Sequence, residues 1–324
     1  MTKFEETVSS LNGRLKDTSG RPFVVLEHAG KIYNGVTVLD EVSMSISEGE
    51  AMAVIGRNGS GKSTLLSILA GLIKVSSGRL HYQGKNSKIG YAPEVFPGLK
   101  FTPEEFLHSI GRLHGFNSGV IQSRTAALLE RFHLGSYRSR SMSTYSKGML
   151  QKVNLMQSVF AEPSLLLLDE PMSGLDAPAQ DALVQLIKEL KAKGTAVVFS
   201  VHEPHFVQLL ADRVHVLHNG RTIRTLDRSE LIGSSLSFII YKGITKEITP
   251  NLSQMPGFIS HSAADEYGET GCLALSVDSS VSDSFLRCIL EAQGSIISVE
   301  QRGGMAGLEL WMSPKPKQQE VAEA

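Results

Sequence analysis

Three short apolar runs, each followed by a break in the hydrophobic pattern, organise this chain. Ala51 to Ile55 (AMAVI) predicts a buried strand, and beyond a glycine-rich stretch Leu65, Leu66, Ile68, Leu69 and Leu72 recur at helical spacing. Leu165 to Leu168 are consecutive leucines, which suits a strand covered on both faces of a parallel sheet and is too short for a membrane span. Ala196 to Val201 predicts a third such strand. Between Glu94 and Ala161 the pattern is mainly helical. Thr102-Pro103-Glu104-Glu105 opens that region with an N-cap threonine, proline at the first position and glutamate three residues after the cap. From Ser146 onward, Met149, Val153, Met156 and Phe160 form another apolar helical stripe behind a serine N-cap.

Beyond Ile232 the pattern changes. Phe238 to Tyr241 and Leu273, Leu275 and Val277 predict strands, Val281, Phe285, Ile289 and Leu290 a helix ending at Gly294, and Ile297 and Val299 a further strand. The expected organisation is a flexible N-terminal tail over residues 1–22, an α/β domain over 23–232 with a helical insertion at about 95–161, a small α+β domain over 233–312, and a disordered tail over 313–324.

Polar chemistry sits where the apolar runs stop. GRNGSGKST, Gly56 to Thr64, fits the phosphate-loop pattern and lies between a predicted strand and a predicted helix. Gly56, Gly59 and Gly61 let the backbone turn its N–H groups inward, with Asn58, Ser60 and Thr64 in the same loop, toward phosphates at a helix N-terminus. In that pattern Lys62 reaches the β- and γ-phosphates and the Ser63 hydroxyl binds Mg²⁺. Asp169 and Glu170 follow the leucine run, at the end of a strand where α/β sheets hold ligands. Asp169 there suits Mg²⁺ through water, and Glu170 suits the base that activates the attacking water; a structural turn is the bland alternative for the pair.

These elements, with YSKGM at Tyr145, SGLD at Ser173 and His202 after its strand, resemble the nucleotide-binding domain of ATP-binding cassette (ABC) transporter ATPases over about Phe23 to Ile232. The resemblance implies a phosphate-loop NTPase core with an inserted helical subdomain, binding ATP and Mg²⁺. YSKGM occupies the place of the family's LSGGQ signature, matching it at Ser146 and Gly148 and departing at Tyr145, Lys147 and Met149. By resemblance, Ser146 and Gly148 face the γ-phosphate held by a second protomer, Asp176 communicates between protomers, and His202 touches the γ-phosphate. Tyr33 resembles the aromatic that stacks on adenine, with an exposed loop tyrosine as the alternative. Glu94 stands where the family usually has the glutamine of its Q-loop, and a carboxylate there still suits Mg²⁺ or its water. Of the other histidines nearby, His205, His215 and His218 are expected to be structural.

The family working unit is a dimer of ATPase chains, of one kind or two, beneath integral membrane permease subunits. The apolar stretch around Phe96, Leu99 and Phe101 follows Glu94 directly; it either receives a short helix of the permease or belongs to the local core. The resemblance favours export, from YSKGM, Glu94 and the C-terminal extension, whose role is either dimer-stabilising or regulatory.

Composition narrows the alternatives. The 324 residues carry 32 Lys+Arg against 33 Asp+Glu, a formal net charge of −1, so no overall basic field points to nucleic acid. Cys272 and Cys288 lack metal-ligand spacing and suggest a reducing interior, with an unsupported disulfide between them as the alternative. Residues 1–21 are polar, so no secretory signal is expected, and no apolar run approaches the ~20 residues of a spanning helix. The expected location is cytoplasmic, peripheral on the inner face of the cell membrane. A soluble, non-transport ABC ATPase is the alternative function; its ribosome- and DNA-acting forms carry paired cassettes or long coiled coils that this chain lacks. A GTPase reading has no N-K-x-D motif to support it.

Overall fold

A computed structural model describes residues 22–83, 87–233, 236–243, 249–263 and 272–302. Two compact units divide between Thr225 and Leu226. The domain boundary expected after Ile232 lies a few residues later, inside a helix at Arg228–Gly233.

The first unit is built on a six-stranded sheet. Its strands are β3 (Ala51–Ile55), β5 (Ile89–Ala92), β6 (Leu165–Leu168), β7 (Ala196–Ser200), β8 (Arg213–His218) and β9 (Arg221–Asp227), in the order β5-β6-β7-β3-β8-β9. The pairings β5/β6, β6/β7, β7/β3 and β3/β8 are parallel. Every residue of β3, β6 and β7 is buried, which is why these strands read as unbroken apolar runs rather than alternating ones. Their carboxyl ends lie side by side, so the residues that follow β3, β6 and β7 converge although they are far apart in sequence.

A second, antiparallel sheet of order β2-β1-β4 comprises β1 (Pro22–Tyr33), β2 (Val36–Ser47) and β4 (Ser77–Tyr82). β1 and β2 are joined by Asn34-Gly35, both at positive φ, the geometry of a two-residue hairpin turn. Their pairing is broken by bulges near Leu26 to Lys31, with His28 and Glu41 also at positive φ. Helix α1 (Lys62–Leu69) shares one core with both sheets: Leu65, Leu66, Ile68 and Leu69 pack with Leu26, Leu39 and Met44 and with Met52, Val54, Leu165 and Leu167. Leu72, expected on that apolar face, is 67% exposed. The helix ends at Leu69, and Gly71 at φ +72° turns the chain away before Leu72 can join the core.

The helical insertion holds α2 (Pro103–Leu113), α3 (Ser118–Arg131) and α4 (Lys147–Val159), with single 3₁₀ turns at Gly135–Tyr137 and Met142–Thr144. Thr102 and Glu105 form the capping box that the sequence predicts: the threonine hydroxyl accepts from the Glu105 N–H, and the glutamate accepts from the Thr102 N–H. Asn117 caps α3 and Ser146 caps α4 in the same manner. α4 is not the one-sided amphipathic helix of the sequence reading. Gln151, Asn154 and Ser158 are buried along with Val153 and Met156 of its apolar stripe. The amides are satisfied by loop and strand carbonyls, Asn154 Nδ2 donating to Pro93 at 2.7 Å and Gln157 Nε2 to Tyr91 at 2.6 Å.

The second unit is an antiparallel sheet of order β11-β12-β10-β13, from β10 (Leu236–Lys242), β11 (Phe258–Ala263), β12 (Cys272–Asp278) and β13 (Ser295–Arg302). A helix at Ser282–Glu291 lays Phe285 and Ile289 on Ile239, Tyr241, Leu275 and Val277. Ile297 and Val299 are more than 40% exposed, because β13 is an edge strand and is bulged against β10 at Ile240/Tyr241. Cys272 and Cys288 are free thiols. The tails expected before Phe23 and after Met312 fall, apart from Pro22, outside the described residues.

Candidate nucleotide site

The loop leaving β3 fixes the site. At Gly61 the backbone has φ +103°, and a Cβ would lie 2.6 Å from Leu39 Cδ2 and 3.1 Å from the Val38 carbonyl oxygen, so only glycine fits there. The next residue starts α1. Its side chain, Lys62, is 7% exposed and folds back so that Nζ donates to the Gly56 carbonyl at 2.9 Å. Burial pulls the lysine below its ordinary value, and the carboxylates of Glu170, Asp169 and Glu94 act against that shift.

A cavity of about 470 Å³ opens over this loop. It is lined by every residue from Asn58 to Thr64 and by Glu94, Glu170 and His202, which the sequence reading placed in one site, and also by Val38 and Ser173. Gly56 and Asp169 are not among the lining residues. Asp169 is 2% exposed, and its backbone N–H donates to the Ala92 carbonyl. Glu170 turns out of β6 at φ +48°. Its Oε1 is buried, lies 4.0 Å from Lys62 Nζ and 2.9 Å from His202 Nε2, and accepts no aligned hydrogen bond. Burial raises this carboxyl to about 7; Lys62 works against the rise, while Asp169, Glu203 and Glu94 add to it. His202 is held below its ordinary value, first by burial and then by Lys62.

Besides Gly56 and Asp169, four predicted residues are not brought to the cavity wall. Tyr33 is 41% exposed near the β1–β2 turn, with Lys31 Nζ 4.8 Å from its ring centre. Ser146 and Gly148 open α4, and Asp176 caps α5 (Ala177–Ala192). The start of α4 nonetheless packs against the loop that leads into α5. A Cβ on Gly148 would meet the Gly174 carbonyl oxygen at 2.2 Å, Lys147 Nζ donates to Ser173 Oγ at 3.1 Å, and Lys152 Nζ contacts Asp176 Oδ2 at 3.0 Å. Through Ser173 that loop borders the cavity. Of the histidines expected to be structural, His215 is fully buried between the hydroxyls of Thr222 and Thr225 and falls to about 4.

A buried carboxyl beside a phosphate loop fits nucleotide hydrolysis, and the family is decided by comparison. The ABC transporter family model matches residues 39–173. The ABC transporter ATP-binding protein MJ1023 of Methanocaldococcus jannaschii is 34% identical over 235 residues, 70% of this chain and 87% of that protein. This chain belongs to the ABC transporter ATP-binding family. NatA of Bacillus subtilis is 33% identical over 58% of this chain and 81% of its own length. The daunorubicin/doxorubicin resistance ATP-binding protein DrrA of Streptomyces peucetius is 32% identical over 66% of this chain and 68% of its own. A solved ATP-binding subunit of an ABC transporter aligns at TM-score 0.61 and 30% identity, covering 64% of this chain and 91% of that one. The fold is therefore the ABC ATPase cassette, and the chain is an ATP-binding, ATP-hydrolysing subunit of an ABC transporter. Among the described residues no helix is long and apolar enough to cross a membrane.

Proposed function

We propose that the cavity holds ATP with its β- and γ-phosphates on the backbone N–H groups of Gly59 to Thr64, at the positive end of α1. Lys62 then exchanges its internal bond to Gly56 for the phosphate oxygens. Glu170 acts as general base toward the attacking water, and His202 holds its carboxylate and meets the γ-phosphate. The observation that carries this reading is the buried Glu170 oxygen, which faces the loop, accepts no aligned bond and has its proton affinity raised to about 7. Mg²⁺ fits the same region: Ser63 and Glu94 are oxygen donors on the wall, buried Asp169 is a third beside Glu170, and together they would hold the ion, which supplies charge neutralisation on the phosphates.

The rest of the assembly follows the same family logic. Tyr33 stacks on adenine. Ser146 and Gly148 complete the site of a second chain, with Asp176 at the same interface, and ATP closes the pair. Ser146 supports this role as the exposed cap of a 13-residue helix whose dipole favours an anion. A permease subunit docks near Phe96, Leu99 and Phe101. Phe101 and Val95 are largely exposed there, while Phe96 packs edge-on against Phe106 at 5.7 Å, so the stretch has both outward and core-facing members. The working location is the cytoplasmic face of the membrane, and the direction is export, supported by the relative named for daunorubicin/doxorubicin resistance. Equilibrium binding of a fluorescent ATP analogue tests the site: Lys62→Ala loses binding and turnover together, whereas undiminished binding contradicts the assignment.

A further inference from the structure

Asp169 and Glu170 leave β6 pointing toward different tasks, and one hydroxyl on the adjoining strand touches both. Ser200 is the last residue of β7 and is fully buried. Leu168 pairs with Phe199 in the parallel register, so Ser200 falls beside the exit of β6, and on its other side it pairs with Val54, two residues before the phosphate loop. Its Oγ donates to Asp169 Oδ1 at 2.6 Å and accepts the Glu170 N–H at 2.8 Å. The hydroxyl has a single proton, which Asp169 takes. It therefore meets Glu170 as an acceptor, and the two bonds fix one rotamer.

The second bond bears on a strained residue. Glu170 stands at φ +48°, a region that non-glycine residues rarely occupy without being held. That conformation swings its side chain back over Lys62 and toward His202. We infer that Ser200 is a positioning residue for hydrolysis, holding the Asp169 carboxylate in one orientation and locking the Glu170 backbone in the turn that aims its side chain at the phosphate loop. This rests on the proposed role of Glu170 as base. It adds a residue that touches neither cavity nor nucleotide, since Ser200 is absent from the cavity wall.

Ser200→Ala removes the donor to a buried carboxylate and the acceptor of a buried N–H. Groups so orphaned relax toward other partners, and the expected loss in kcat is roughly ten- to hundredfold. The phosphate loop and Lys62 are untouched, so affinity for trinitrophenyl-ATP, with and without Mg²⁺, stays within about threefold of wild type. Ser200→Thr keeps the hydroxyl and restores most of kcat; Ser200→Cys, with a weak S–H donor and little added volume, falls between alanine and serine. Melting temperature and nucleotide affinity are measured on all variants, with Glu170→Gln alongside. An alanine variant with wild-type kcat, while Glu170→Gln is inactive, overturns the role of Ser200 and leaves the base in place. Loss of kcat, affinity and melting temperature together, with neither threonine nor cysteine recovering any, marks a packing residue and overturns it also. A fully active Glu170→Gln instead removes the reading beneath it.

Discussion

Lowering the pH from 8 to 5 titrates the proposed base, and the structure sets where. Glu170 is raised to about 7 by burial, with Asp169, Glu203 and Glu94 adding to the effect and Lys62 opposing it. His202 lies below its ordinary value and so stays neutral through the upper part of that window. Only the ionised carboxylate can accept a proton, so kcat/KM, which reports the free enzyme, should climb with pH and level off above about 7. Below that point it falls roughly tenfold per pH unit, to about a tenth at pH 6 and a hundredth at pH 5. The γ-phosphate of ATP titrates nearby, so the limb due to Glu170 is the part that vanishes in Glu170→Gln. The same shift has a stability cost of opposite sense. The native carboxyl, at about 7, holds its proton more tightly than an unfolded glutamate near 4.5. Its stabilising effect is complete below pH 4.5 and is lost as pH rises toward 7, a total of at most about 3 kcal/mol. Glu170→Gln should therefore melt higher than wild type at pH 8 without nucleotide, and the gap should shrink at pH 5. A steady-state profile flat from pH 5.5 to 8, together with a mutant no more stable at pH 8, would refute the assignment of both charge and role.

If Ser146 completes the partner's site, Ser146→Arg and Lys62→Ala chains, each inactive alone, should recover part of the wild-type ATPase when mixed; linear addition of two null rates speaks against a shared site. Replacing Val95 and Phe101 with serine should release the chain from native membranes while basal ATPase stays within about twofold, because both side chains are exposed and neither lines the cavity; retention in the membrane fraction argues for docking elsewhere. Leu167→Ala, which empties a fully buried position in the central sheet, should destabilise the first unit by about 3 to 5 kcal/mol in denaturant titration, and a loss under 1 kcal/mol would contradict the packing.

The cassette was legible wherever its signal was local. A glycine loop between an apolar strand and an amphipathic helix, four leucines before two acids, and the Thr102 and Ser146 caps each depend on neighbours within a few residues, and each stands as its spacing implies. What long-range pairing decides was not legible. β1 and β2 alternate poorly because bulges near His28 and Glu41 shift their register, so the antiparallel sheet left no clean period-two trace. The inward-facing amides Asn154 and Gln157 of α4 gave no sequence signal, since only the fold supplies the Pro93 and Tyr91 carbonyls they meet. Ser200 looked like an ordinary strand residue. Its signal is its register against β6, which the sequence does not print. Val38 at the cavity wall was missed for the same reason, coming from a strand of the other sheet.

The central claim, that this chain is the ATP-hydrolysing engine of a transporter with Glu170 as its base, meets its most direct test in Glu170→Gln. Purified with Mg²⁺ and ATP, the variant keeps the size and hydrogen-bonding capacity of the side chain and loses only its basicity. Steady-state turnover should fall by about 10² to 10⁴ while ATP still binds, and size-exclusion chromatography should show a nucleotide-held dimer. Wild-type turnover in that variant, or a chain that stays monomeric at high concentration with ATP and Mg²⁺, would contradict it.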